Sequence, residues 1–381
     1  MEPDLASEQL NGLADDCEEV RALVALSLVP GVGPGRIRAL VGRFGSVAAA
    51  LSAPPSALAE VPGVGLQTAE AIARFDADAD VREQLDSAER AGAEIITAWD
   101  DRFPHLLRQI YDPPAFLWVR GELLPEDERA IAIVGTRRPT DYGKQAAADF
   151  AAGLVQHGFT IVSGLAYGID VAAHRAALEA GGRTISVLGS GVDRIYPSKH
   201  ERVARSIIEQ GAVVSEFALG AAPEAPNFPR RNRVVSGLSL GTLVVEAYEG
   251  GGALITARLA VEQNREVFAV PSPVRSKAGA GTNRLIQQGH AKLVMTVEDI
   301  LAELGVPEPV STPKSEAPAP APPDLNGVER RLFDALTEEP VHIDTLCLRA
   351  DLDTSTALVY LLSLEFKGLV RQMAGKQFFR A

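Results

Sequence analysis

Ala130-Ile-Ala-Ile-Val-Gly-Thr-Arg-Arg138 is a five-residue apolar run that breaks at a glycine and continues into two arginines. The plan recurs twice. Phe159-Thr-Ile-Val162 leads into Ser163-Gly-Leu-Ala-Tyr-Gly-Ile-Asp170, and Thr184-Ile-Ser-Val-Leu188 leads into Gly189-Ser-Gly-Val-Asp193. Further apolar runs follow at Ala212-Val-Val214, Thr242-Leu-Val-Val245, Val267-Phe-Ala-Val270 and Lys292-Leu-Val-Met295. Helical patterns such as 144–157 and 170–180 fit between most of them. Short, near-continuous apolar strands separated by helices predict a parallel sheet covered on both faces. Two earlier runs, Glu94-Ile-Ile-Thr-Ala-Trp99 and Ala115-Phe-Leu-Trp-Val119, predict two more strands, with Pro113 and Pro114 marking a turn before the second.

Working outward, residues 1–18 are polar and acidic and read as a flexible tail. Residues 19–93 have helical periodicity, interrupted by two similar turns, Val29-Pro-Gly-Val-Gly-Pro-Gly35 and Val61-Pro-Gly-Val-Gly65. A repeated turn between apolar helices predicts a helix–hairpin–helix pair. The α/β core then spans 94–305. Seven prolines between Pro307 and Pro323 make 306–325 an extended linker. Residues 326–381 contain three helical stretches followed by two short strand patterns around Gly375, the order of a winged helix.

The 381 residues are 46% hydrophobic with a formal net charge of −13, which excludes a protein coated in positive charge but leaves room for a local basic groove. Cys17 and Cys347 are the only cysteines, too few for a disulfide framework or a cysteine zinc site. The start, Met1-Glu-Pro-Asp-Leu5, lacks the plan of a signal peptide, and no uncharged apolar run reaches membrane-spanning length. The expectation is a soluble, cytoplasmic protein.

In open parallel sheets, ligands bind beyond the carboxyl ends of the strands. The turns carrying Gly135, Thr136, Arg137 and Arg138, then Ser163, Gly164, Tyr167 and Gly168, then Gly189 and Gly191, should therefore share one edge. Glycine lets backbone N–H groups approach an anion, and a following helix start adds partial positive charge. Taken singly, such turns need mean no more than a tight connection; three on one edge suit a chain of phosphates. Phe228-Pro-Arg-Arg-Asn-Arg233 adds Arg230, Arg231 and Arg233 beside Asn232, and no acidic residue occurs between Glu224 and Glu246. Arginine forms bidentate bonds to phosphate. Lys199 and Lys144 are weaker candidates. Tyr142, Tyr167, Tyr196 and Phe228 lie in or beside these turns, where exposed rings stack bases and buried ones merely pack. In the hairpin region, Gly31, Gly33 and Arg36 form a weaker phosphate nest.

Other signals point away from chemistry. No Walker A sequence is present, and no Gly-x-Gly-x-x-Gly follows the first core strand. Asp170 and His174 lie four apart on one helix face, but the simpler reading makes Asp170 a cap and His174 a core residue. No metal site, cofactor or catalytic group is expected. The last long helix, 354–366, contains no Lys or Arg, so the winged helix is expected to contact protein or play an accessory part.

Val134-Gly-Thr-Arg137, Ser163-Gly-Leu-Ala-x-Gly-Ile-Asp170, Gly189-x-Gly-x-Asp193 with Tyr196-Pro197, Phe228-Pro-x-Arg-Asn-Arg233, Leu254-Ile-Thr-Ala257, Arg265-Glu-Val-Phe-Ala-Val-Pro271 and Gly281-Thr-Asn283 together resemble the DNA-processing protein A (DprA, or Smf) family. The resemblance implies an extended Rossmann-like core between a SAM-like helix–hairpin–helix domain and a winged helix. It implies single-stranded DNA binding, loading of a RecA-type recombinase during natural transformation, a homodimer through the core, and no known enzymatic activity. It places Arg137, Ser163, Gly164, Gly168, Arg231 and Arg233 at DNA, with Arg230 an extra arginine. Tyr167 departs from a frequent lysine, Ser272 from a glycine and His200 from an asparagine, and His290 is an extra residue. A competing resemblance exists. Gly241-Thr-Leu-Val-Val-Glu246 is similar to part of the signature of nucleotide-processing, lysine-decarboxylase-like Rossmann enzymes, in which Glu246 would act as a base. A repair role and a protein-binding adaptor are further alternatives.

Overall fold

The computed structural model describes residues 18–75, 78–306, 325–337, 340–367, 369–373 and 376–380. The expected tail, apart from Glu18, and nearly all of the expected linker lie outside the described residues. The chain divides into two compact units, Met1–Pro307 and Glu308–Ala381.

The first unit opens with helices α1 (18–28), α2 (Pro34–Phe44), α3 (Val47–Leu51), α4 (Pro55–Leu58), α5 (Leu66–Arg74) and α6 (Asp78–Ala91). The two similar turns fold alike. Gly31 and Gly63 adopt φ of +81° and +82°, the region that side chains avoid. Val32 N–H then donates to Val29 O (3.0 Å) and Val64 N–H to Val61 O (2.9 Å). The helices bury Leu26, Leu40, Leu58 and Ile72 in a core that also contains Phe116 and Trp118 of the sheet, so the hairpins pack directly on the α/β layer.

The strands are β1 (Glu94–Thr97), β2 (Phe116–Gly121), β3 (Ala130–Val134), β4 (Thr160–Ser163), β5 (Thr184–Val187), β6 (Ala212–Ser215), β7 (Gly241–Val244), β8 (Glu266–Ala269) and β9 (Lys292–Leu293). A four-residue helix, α7 (His105–Arg108), lies between β1 and β2. Longer helices join the rest: α8 (Asp141–Gln156), α9 (Ile169–Glu179), α10 (Glu201–Gln210), α11 (Asn227–Gly237), α12 (Gly252–Glu262) and α13 (Ala280–Gln287), with α14 (Val297–Glu303) after β9. The sheet order is β1-β2-β6-β5-β4-β3-β7-β8-β9. Strands β3 to β9 are mutually parallel; β1 and β2 form an antiparallel edge, with β2 running against β6. The continuous apolar pattern of β3 has a direct cause. Ala130, Ala132 and Val134 face one hydrophobic core and Ile131 and Ile133 the other. Each isoleucine is fully buried, a contribution of roughly 1.5–3 kcal/mol.

From β3 the chain winds through β4, β5 and β6 on one side, then α11 returns it to β7 on the opposite side of β3. The loops leaving β3 and β7 therefore diverge, which opens a crevice at the carboxyl edge.

The second unit comprises α15 (Gly327–Ala335), β10 (Val341–His342), α16 (Ile343–Ala350), α17 (Thr354–Phe366), β11 (Val370–Met373) and β12 (Gln377–Arg380). Its sheet order is β10-β12-β11, so a short strand not expected from the sequence completes the wing. Asn326 and Asp353 cap α15 and α17, and Leu332, Leu346, Leu361, Leu364 and Phe378 form the core. On α17, Leu358, Val359 and Leu362 are exposed. No described helix is long and apolar enough to cross a membrane.

Candidate nucleic-acid interface

The β3–β7 crevice holds a cavity of about 360 Å³. The turn after β3 supplies Gly135, Thr136 and Arg137, and the turn after β4 supplies Gly164, Ala166 and Asp170. Helix α11 adds Phe228, Pro229, Arg231 and Asn232; the opposite wall is Ala247, Tyr248 and the start of α12. Three of the expected segments thus converge on one recess.

Its rim is aromatic and cationic. The Arg137 guanidinium lies 5.2 Å from the centre of the Phe228 ring, and Tyr196 lies 5.9 Å from Phe228 on centroids. Arg137 is exposed, and Tyr196 is 43% exposed. Tyr167 packs edge-on against His200 with its face partly open. Arg138, Lys199 and Arg230 are also exposed but do not line the cavity; Arg230 sits over the Phe217 ring at 5.2 Å. Tyr142 donates to Pro271 O (3.0 Å), and Lys144 pairs with Asp141.

Several of the expected anion-contact residues also make contacts within the protein. The Asp170 carboxylate accepts from Gly164 N–H (3.2 Å) and Ala166 N–H (3.4 Å), filling the nest that those amides offer. Ser163 Oγ donates to Ile133 O (2.6 Å) and ties β4 to β3. Gly168, with φ +84°, presses on Thr136 O, where a Cβ would sit 2.3 Å away. Gly189 lies against the Phe228 ring. Gly191 is buried against the 218–221 loop, and its N–H donates to Ala221 O (3.1 Å). These glycines allow close approach, but the approaching group is protein.

The arginine cluster divides in the same way. Arg233 pairs with Glu216, whose side chain is 4% exposed, and also donates to Asp112 O. Arg231 is 5% exposed and donates through Nη1 to Gly164 O (2.7 Å) and Val187 O. Nε bonds Asn232 Oδ1 (3.2 Å), while Nη2 has no acceptor among the described residues. Burial lowers the Arg231 pKa to about 10, so it remains a cation at neutral pH. Burial raises the Asp170 carboxyl, against the pull of Arg231 and the two amides. His174 Nδ1 contacts Thr184 Oγ1 (2.7 Å). Burial, helped by Arg231 and His200, pushes its pKa down to about 3 and keeps it neutral.

Two other assignments change. Arg36 donates to Gly63 O (2.7 Å) and Gly31 O, so it clips the two hairpin turns together; Gly33 caps α2. Glu246 is 1% exposed and accepts from Thr140 N–H (2.9 Å) and Thr140 Oγ1 (2.7 Å). Its carboxylate anchors the start of α8 through both oxygens, which is not the free base that the competing resemblance requires. Among the described residues, no cluster of His, Cys, Asp or Glu is arranged to hold a metal. Tyr248 and Thr256 line the cavity and were not expected to; Gly250-Gly-Gly252 before α12 was the available signal.

Comparison with known proteins gives a consistent picture. The family model described as "DNA recombination-mediator protein A" matches residues 94–305. "DprA winged helix domain" matches 316–376 and "SAM-like Helix-hairpin-helix tandem" matches 23–75. The chain is 35% identical to "Protein Smf" of Synechocystis sp., over 94% of this chain and 98% of that one. It is 44% identical to "DNA processing protein DprA" of Bacillus subtilis, over 56% of this chain and 72% of the relative. The X-ray structure of DNA processing protein A from Streptococcus pneumoniae superposes with a TM-score of 0.67 at 33% identity, covering 74% of this chain and 97% of that one. The Helicobacter pylori protein, described with a "unique single-stranded DNA binding mode", gives 0.51 at 31% identity, covering 56% of this chain and 97% of that one.

Proposed function

The chain belongs to the DNA recombination-mediator protein A family, and on that footing we propose that it binds single-stranded DNA along the rim of the β3–β7 crevice. The observation that supports this most is the Arg137–Phe228–Tyr196 row. A guanidinium against one ring, with a second ring beside it, offers phosphate contact and base stacking together, the combination single strands need. Exposed Arg138, Lys199 and Arg230 extend the basic surface, and the net charge of −13 confines DNA to it. The single-strand description of the Helicobacter pylori relative supports the same reading.

The protein protects incoming strands and loads a RecA-type recombinase in the cytoplasm during transformation, with repair as a second setting. It works as a homodimer through the core. The edge strand β9, with Leu293 41% exposed and Met295 beyond it 71% exposed, supports an interface there. It acts by binding and not by catalysis, a reading supported by the commitment of Glu246 to α8.

The test is equilibrium binding of the full chain to oligo-dT and to duplex DNA across a salt series. Log K should fall by about 0.7 per phosphate contacted for each decade of salt, with the single strand preferred. Affinity that ignores salt, or duplex binding of equal strength, overturns the proposal.

A further inference from the structure

The cavity reaches below the surface that a passing strand would touch. Asp170, Arg231 and Thr256 line it, yet they are 6%, 5% and 2% exposed. A strand running through uses the rim; a recess of this depth receives an end or a separate small molecule.

One wall is the first turn of α12, an eleven-residue helix. Its N-cap, Gly251, makes no side-chain cap bond, and the first turn contains no acid. No side chain caps that end, and of its first N–H groups that of Leu254 donates to Gly251 O (3.0 Å). A Cβ placed on Gly252 would meet nothing within 4 Å, so space lies directly over this turn. Thr256 lies one turn further along. Its hydroxyl has no hydrogen-bond partner among the described residues and does not bond back to the helix carbonyls as a buried threonine commonly does. A hydroxyl that lines the cavity and makes no bond to the described residues is available to a ligand oxygen.

The remaining wall narrows the ligand class. Arg137 is exposed at the rim, and Arg231 keeps one amino group free. A phosphomonoester, with a charge of about −1.5 to −2 near neutral pH, uses two guanidiniums and a helix end better than a singly charged diester does. Asp170 Oδ1 accepts no hydrogen bond from the protein, which calls for a ligand with hydroxyl or amino donors as well as phosphate. Tyr248, 41% exposed, supplies an aromatic face on the same wall.

We infer that the cavity takes a nucleoside phosphomonoester, its phosphate against the first turn of α12 and Thr256, its base against Tyr248. This rests on the single-strand reading of the neighbouring rim only for the ligand's source, which is either a free mononucleotide or the phosphorylated end of a bound strand.

The experiment uses the full chain and four probes: oligo-dT with a 5′-phosphate, the same oligonucleotide with a 5′-hydroxyl, AMP and inorganic phosphate. The 5′-phosphorylated strand should bind about tenfold more tightly than its 5′-hydroxyl counterpart, or AMP should bind saturably and more tightly than inorganic phosphate. Whichever holds identifies the source. In Thr256→Val the phosphate-dependent ratio should collapse towards one, while Thr256→Ser keeps the hydroxyl and restores it; thermal melting checks that both variants fold. Equal affinity for both strands overturns the inference when AMP also binds no more tightly than inorganic phosphate, as does a ratio that survives in Thr256→Val. If neither strand binds while AMP does, the single-strand proposal fails and this one stands.

Discussion

After β3 the chain runs Gly135-Thr-Arg-Arg138 and stays near the surface, its arginines exposed; after β5 it runs Gly189-Ser-Gly-Val-Asp193, and residues 189 to 192 are buried. Both turns end parallel strands at the same edge, and both use glycine for close approach. The β5 turn meets the 218–221 loop, which supplies Ala221 O to the Gly191 amide and takes the Asp193 carboxylate through Gly220 N–H. The β3 turn meets the crevice, because strand order reverses between β3 and β7. A glycine turn is thus a place of close approach whose partner is chosen by topology. Helix α11 repeats the lesson: Arg230 stays exposed, Arg233 is paired with Glu216, and Arg231 is buried with only part of its guanidinium bonded to the fold.

The sharpest way to break this contrast is Arg233→Ala. If Arg233 is framework, its loss strands Glu216, which is almost fully buried, and should destabilise the first unit by about 3–5 kcal/mol. The pH dependence gives the sign. Burial already holds the Glu216 carboxyl above its ordinary range, against the attraction of Arg233 and Arg230. A carboxyl with a raised folded pKa favours the folded state more as it protonates, that is, as pH falls. Removing Arg233 raises it further, so the deficit relative to the wild type should be greatest near neutral pH and narrow on acidification. Chemical denaturation at several pH values measures this. A stable variant with weakened oligo-dT binding would instead put Arg233 at the DNA.

Much of the architecture was legible in the sequence, for a physical reason. Strands buried on both faces must be apolar throughout, so β3 to β8 announce themselves as runs. Direction is not written in such runs, and the antiparallel course of β1 and β2 emerges only from their pairing. At the site, the turns were legible but the fate of each arginine was not. Arg233 is neutralised by Glu216, seventeen positions away, and donates to the backbone carbonyl of Asp112, 121 away. Charge density along the chain cannot register partners so distant. Tyr248 and Thr256 escaped because a tyrosine after a strand and a threonine in a helix are ordinary until a cavity is seen between them.

Gly191→Ala probes the filled turn. Its Cβ would lie 2.7 Å from Ala218 O and 2.4 Å from Asp193 Oδ1, so the 218–221 loop must shift. Overpacking of this kind costs about 1–3 kcal/mol. The variant should melt earlier yet, while folded, bind oligo-dT with the wild-type salt slope. A changed slope at unchanged stability would return Gly191 to the DNA site.

Arg137→Ala probes the open turn, with the smallest expected effect and the cleanest separation. Arg137 makes no ion pair among the described residues, and its guanidinium lies over the Phe228 face. An exposed cation–π contact is worth about 0.5–1 kcal/mol, so the melting temperature should hardly move. Binding should weaken by about tenfold for every sequence tested, because phosphate contacts do not read bases. The salt slope should fall by about 0.7, the share of one phosphate on a single strand. A weaker affinity with an unchanged slope would mean that Arg137 acts by holding Phe228 for stacking. Phe228→Leu would then reproduce that loss, whereas a true phosphate contact would leave the two variants with different salt slopes.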